Sequence, residues 1–119
     1  MDALFNDRDK CQQFEEGIFR FVNAHLGPMN RTVTDVTSSF TDGVNLILLC
    51  GTLGNFYIPV NSYSIKPLSR SEMETNIRYA FEILRDLGVN TTFFDVTDIL
   101  NGNKKAILKL LYSIFKRYK

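Results

Sequence analysis

The chain has little with which to do chemistry. It holds one histidine, His25, and two cysteines, Cys11 and Cys50. A metal site needs several such ligands converging with paired carboxylates or one another, and no spacing here provides that. Cys50 stands in a strongly apolar stretch, so a structural disulfide is not expected; two free thiols suit a reducing cytosol. A glycine-rich phosphate cradle is missing too: Gly51 and Gly54 lack the lysine and Ser/Thr that such a loop requires. The formal net charge is only +1, and no strip interleaves Arg/Lys with aromatics, which argues against a nucleic-acid binder. No apolar signal core opens the chain, and no window offers the roughly 20 apolar residues of a membrane span. Neither export nor membrane insertion is therefore expected, and the acceptor patterns Asn30-Arg31-Thr32 and Asn90-Thr91-Thr92 read as incidental. His25 reads as a packed or capping residue near a helix end. Glu15, Glu16, Glu72 and Glu74 fall on helix faces away from the apolar stripes and read as solvated charges. Catalysis and cofactors are not expected.

What the chain does have is core. Of its 119 residues 45% are hydrophobic, with ten Phe and five Tyr, which argues against disorder and suffices for one domain without staples. The segment everything else must cover is Phe40-Thr41-Asp42-Gly43-Val44-Asn45-Leu46-Ile47-Leu48-Leu49-Cys50-Gly51-Thr52-Leu53-Gly54. Between Val44 and Leu53 only Asn45 and Thr52 are clearly polar, so this helix has no side fit for water. Thr41 or Asp42 can cap its start and Gly54 its end. The expected fold is all-α, a compact helical bundle around this buried central helix.

The remaining helices follow from spacing. Phe14, Ile18, Phe21, Val22 and Leu26 recur at helical intervals from Asp9 to Leu26, and Gly27-Pro28 ends the run. Gly17 inside it suggests a close packing approach. Residues 32–39 read as a loop with one helical turn, anchored by Val33, Val36 and Phe40. Residues 55–68 form an irregular crossing, held by Pro59 and Pro67, that carries Phe56, Tyr57, Ile58, Tyr63 and Ile65. Ser69-Arg70-Ser71-Glu72 is a capping box, opening a helix with Met73, Ile77, Ala80, Phe81, Leu84 and Leu87 that stops at Gly88. A short capped helix spans 95–100, closed by Asn101-Gly102. The last helix, from Asn103 to Lys119, directs Ile107, Leu110, Leu111, Ile114 and Phe115 inward. Leu4 and Phe5 make a small apolar spot in residues 1–8, expected as a short linker helix lying on the domain. Met1 and Lys119 look like the cut edges of a longer protein.

Charge is uneven along the chain. Residues 1–60 carry four basic and seven acidic side chains, and residues 61–119 carry ten and six. Lys104, Lys105, Lys109, Lys116, Arg117 and Lys119 stand in the last helix without an acid among them. The helix dipole accounts for the cations at its C-terminal end but not for Lys104, Lys105 and Lys109. Lys105, Lys109 and Tyr112 share one side, a basic face suited to an acidic amphipathic helix.

Phe40-Thr41-Asp42-Gly43 leading into Val44-Asn45-Leu46-Ile47-Leu48-Leu49 resembles the signature of calponin homology domains. Asp2-Ala3-Leu4-Phe5, Phe21-Val22-Asn23-Ala24-His25-Leu26, Phe56-Tyr57-Ile58-Pro59, the run from Glu72 to Asn76, that from Asp98 to Asn101 and Leu110-Leu111-Tyr112-Ser113-Ile114-Phe115 are similar to the second such domain of the parvins. The likeness runs from Asp2 to Lys119. It implies a linker over 1–8, a calponin homology domain over 9–119, no enzymatic activity, and a cytoplasmic adaptor at integrin adhesions and the actin cytoskeleton. It also implies two partners, the pseudokinase domain of integrin-linked kinase and the leucine-aspartate helices of paxillin, with the domain itself a monomer. The alternative is a domain of another cytoskeletal protein that binds F-actin directly. Carried over by position, the paxillin-type groove comprises Lys10, Gln13, Phe14, Gly17, Phe21, Lys105, Lys109, Tyr112, Phe115 and Lys119. The kinase-facing surface comprises Phe56, Tyr57, Ile58 and Pro59. Gln13, Gly17 and Lys104 stand where the family offers valine, threonine and leucine, and Phe14 where another valine is usual. Helix binding is therefore expected to be weak and salt-dependent.

Overall fold

A segment with almost no polar side becomes a largely buried helix. In the computed structural model, which describes residues 8–29, 31–55 and 58–118 except the side chains of Arg8, Asp9, Cys11, Val36 and Val60, the central stretch forms a helix from Val44 to Gly54. The elements in order are α1 (Arg8–Leu26), α2 (Val36–Ser39), α3 (Val44–Gly54), α4 (Arg70–Asp86), α5 (Val96–Leu100) and α6 (Lys104–Tyr118). Single 3₁₀ turns, Gly27–Met29 and Val60–Ser62, sit in the connections after α1 and α3. Among the described residues there is no strand. Helix α3 packs on α4 along one side and α1 along the other, while α6 closes over α1. The core they share includes Ile18, Val22, Leu26, Leu46, Leu49, Ile77, Leu84, Ile107, Leu110 and Ile114. Its Cα radius of gyration, 13.5 Å, is what close packing predicts for this length.

The start of α3 shows why its sequence reads as it does. Gly43 is the N-cap residue, with φ at 81°, a left-handed conformation that favours glycine. A Cβ there would lie 2.6 Å from the Cβ of Asn76, so helix α4 passes too close for any side chain. Asn76 is 1% exposed yet fully employed. Its amide donates to the Asp42 carbonyl (3.0 Å) and the Ser64 carbonyl (2.8 Å), and its oxygen accepts from the Ser64 N–H (2.9 Å). One buried side chain thus ties the start of α3, the crossing and α4, which is how a buried amide avoids an uncompensated desolvation cost. The expected caps are partly revised. Asp42 does accept the Val44 N–H (3.0 Å) from outside the cap position, but Thr41 instead donates to the Ser38 carbonyl. At the other end Gly54 remains helical and Asn55 takes the left-handed conformation (φ 55°), which asparagine tolerates because its short polar side chain bonds locally.

Elsewhere the expected devices are in place with altered partners. Ser69 accepts the Glu72 N–H at 3.1 Å, while Glu72 reaches back to the Leu68 N–H rather than that of Ser69. Asp35 caps α2 and Asp95 caps α5, each through the N–H two residues on. The bonds from the Thr37 hydroxyl and N–H hold the Asp35 carboxyl below its ordinary range. Val33 and Phe40 are buried as anchors, the first clamped by Asn23, whose side chain both donates to its carbonyl and accepts from its N–H; the Val36 side chain lies outside the described residues. Arg117, expected to complement its own helix, donates from Nε to the Leu87 carbonyl at 3.0 Å and so closes α4, beside Gly88 at φ 90°. Gly17 is a correction: a Cβ there would meet only the Arg20 guanidinium, at 3.8 Å, so no neighbour demands a glycine. The linker helix expected in residues 1–8 lies outside the described residues up to residue 7, and α1 begins at Arg8.

Candidate functional site

Helices α1 and α6 meet along a seam whose exposed side is lined with rings. Phe14 and Tyr112 stand edge to face with centroids 5.1 Å apart, and Phe21 and Phe115 do the same at 5.2 Å. Tyr112 and Phe115, one turn apart on α6, are near parallel at 6.3 Å, and Phe21 meets His25 edge-on at 5.1 Å. The result is a continuous row of five rings, each half-buried. Residues spaced at i, i+4 and i, i+3 share a helix side; the row exists because one such side of α1 faces one of α6. Edge-to-face and offset contacts of this kind contribute about 0.5–1.5 kcal/mol each beyond burial. His25 is thus the packed residue its position suggested.

The two helices that carry this row also carry cations. Lys10 and Lys105 are exposed and Lys109 is half-buried, while the Lys116 ammonium lies 5.0 Å from the Tyr112 ring centre in a cation–π contact. Gln13 is exposed and Gly17 half-buried on the same side of α1. Of the ten residues expected of the groove, the structure sets Phe14, Phe21, Tyr112 and Phe115 in mutual contact; Lys10, Gln13 and Gly17 stand on α1 and Lys105 and Lys109 on α6, and Lys119 lies outside the described residues. Of the second expected surface, Phe56 and Tyr57 also lie outside the described residues. Ile58 is half-buried against the core, and Pro59 is exposed.

Two features escaped the reading of spacing. Glu15, expected as a solvated charge, has a side chain only 19% exposed and accepts an ion pair from Lys104 across the seam, Nζ to Oε2 at 3.2 Å. This explains a lysine at the unfavourable end of a helix: the compensating charge is on another element. Phe93, in the loop before α5, is 86% exposed. With Phe94, Asp95, Asp98, Lys105 and Lys109 it lines a recess of about 280 Å³. No sequence pattern marks either, because both depend on how α1, α5 and α6 are set against one another.

Burial pushes the Cys50 thiol up to about 12, so it stays protonated inside the core and is a poor nucleophile. Among the described residues no three His, Cys, Asp or Glu side chains gather to hold a metal ion, and no described helix is long and apolar enough to cross a membrane. The seam presents a row of half-buried rings on two helices that also carry exposed and half-buried cations.

Comparison with known proteins agrees with the fold. The family model of the calponin homology (CH) domain matches residues 12–119. The chain is 34% identical over 119 residues to mouse beta-parvin, covering 99% of this chain and 33% of that protein. It is also 34% identical over 119 residues to the paralyzed arrest at two-fold protein 6 of Caenorhabditis elegans, covering 99% and 32%. Against human gamma-parvin it is 33% identical over 118 residues, covering 98% and 36%. The chain thus spans about a third of the length of these curated relatives. Helical architecture, the glycine-capped central helix and these likenesses agree: the chain belongs to the calponin homology family, as a domain of the parvin type.

Proposed function

We propose that this domain is a non-catalytic adaptor module, equivalent to the second calponin homology domain of a parvin-like protein, working at actin-linked cell adhesions in the cytoplasm. In this reading the α1–α6 seam receives a leucine-aspartate helix of the paxillin type, and the crossing with Phe56, Tyr57, Ile58 and Pro59 faces a pseudokinase of the integrin-linked kinase type. The observation that carries the first half is the five-ring row between two helices. An amphipathic helix laid on it would bury its apolar residues against Phe14, Phe21, Tyr112 and Phe115, with its acids beside Lys10, Lys105 and Lys109. Exposed charge pairs contribute at most about 1 kcal/mol each and act mainly on encounter and orientation. Affinity must come from the rings.

Titration calorimetry with a paxillin-type leucine-aspartate peptide tests this reading. Binding should be weak and should fade with added salt. Gln13→Val should tighten it, since a docked helix would cover the Gln13 amide at a cost of roughly 1–3 kcal/mol if it stays unpaired. Unchanged or poorer affinity in that variant would remove the groove assignment. A parallel capture experiment with integrin-linked kinase and with actin filaments separates the adaptor from a domain that binds F-actin directly. Retention on filaments alone would favour the latter.

A further inference from the structure

Phe93 is left almost wholly in water, 86% exposed, while its neighbour Phe94 packs half-buried against the core. One exposed apolar residue needs no explanation in itself. This one stands in the wall of a recess of about 280 Å³ that also takes in Lys105 and Lys109 of α6. Those two share a helix side with Tyr112, at intervals of four and three residues, and Tyr112 meets Phe14 in the ring row. From Lys105 to Tyr112 the axis advances about 10 Å, or two turns, and to Phe115 about 15 Å. One side of α6 therefore leads from the recess to the rings. The recess is balanced in charge, with Asp95 and Asp98 among its walls beside the two lysines. A ligand segment lying over it gains little from being acidic; what it meets is the ring of Phe93.

We propose that Phe93 is a distal anchor of the seam, selecting amphipathic helices that carry an apolar residue about two turns beyond those covering Tyr112. This rests on the seam being a helix-binding groove. A helix laid along that side of α6 and long enough to pass Lys105 brings its far end to the recess. An apolar side chain there is removed from water against an aromatic that is itself exposed, and aromatics of this kind concentrate interface energy. A helix that stops at the rings forgoes that contact. Ligand length and the identity of one distal residue thus become criteria of choice in addition to the ring-facing positions.

Four synthetic peptides decide the matter. They share one leucine-aspartate core and extend it by two turns at the first or the last end, with Leu or Ala at the distal position, so that no direction of docking is assumed. Titrated against the domain, one end should show a preference for Leu over Ala of about tenfold. The preference is apolar in origin, so it should persist near 1 M salt, where screening acts within about 3 Å, even as overall affinity falls. Phe93→Ala should abolish it and Phe93→Leu should keep most of it; circular dichroism checks that both variants are folded, as substitution of so exposed a side chain implies. Equal binding of the Leu and Ala forms at both ends, or a preference that survives in Phe93→Ala, would overturn the anchor and leave the groove standing. Failure of every peptide to bind the unaltered domain would remove both.

Discussion

Helix α3 and the α1–α6 seam are both rich in large apolar side chains, but they spend them differently. In α3, Val44, Leu46, Ile47, Leu49 and Cys50 are all buried within the domain, and of its large apolar side chains only Leu48 and Leu53 are partly covered. Along the seam Phe14, Phe21, Tyr112 and Phe115 are only half-buried; they touch one another and keep a face toward water. A surface of this kind stabilises the domain partly and can stabilise a complex further. The lesson is that the most hydrophobic stretch of a chain identifies its core, while a binding face is to be sought where aromatics remain incompletely covered and are bordered by charge.

The contrast can be broken first at its core. Leu49→Ala should destabilise the domain by about 2–5 kcal/mol through the cavity it leaves, read as a lowered urea midpoint at unchanged slope. Gly43→Ala comes next. The positive φ alone costs about 1–3 kcal/mol for a side chain, and its Cβ would collide with Asn76, so the thermal midpoint should fall clearly. At the seam, Tyr112→Ala should cost about 2–4 kcal/mol for a half-buried ring with two ring neighbours, less than Leu49→Ala, yet lower peptide affinity tenfold or more. Should Tyr112→Ala unfold the domain as readily as Leu49→Ala, the seam would be core and the distinction would fail. The smallest effect has the opposite sign. Gly17→Ala lies mid-helix with only the Arg20 guanidinium in ordinary contact and should stabilise by about 0.5–1 kcal/mol in the same urea experiment.

Gly17 and Gly43 also mark the limit of what was legible. The same residue type stands in two helical contexts; one position is forced by the approach of α4 and the other by nothing the structure shows. The sequence suggested a close approach at Gly17, where there is none, because the partner that crowds a glycine is distant along the chain. Glu15 and Lys104 were read apart for the same reason: 89 residues separate them. Local signals fared better. The capping box at Ser69 and the stop at Gly88 are present as spacing implied, since each involves neighbours within a turn.

By itself, then, the amino-acid sequence determined the helices, their ends and the residues that turn inward, because periodicity, caps and burial act over a few residues or depend only on side-chain type. It also showed that the last helix is basic. Tertiary structure alone decided which helix sides meet. It set Phe14 against Tyr112 and Phe21 against Phe115, matched Lys104 with Glu15, gave Arg117 to the end of α4, and placed Asn76 where three backbone groups needed a partner. Those choices follow from the crossing of packed helices, a property of the whole core that no short window of sequence contains.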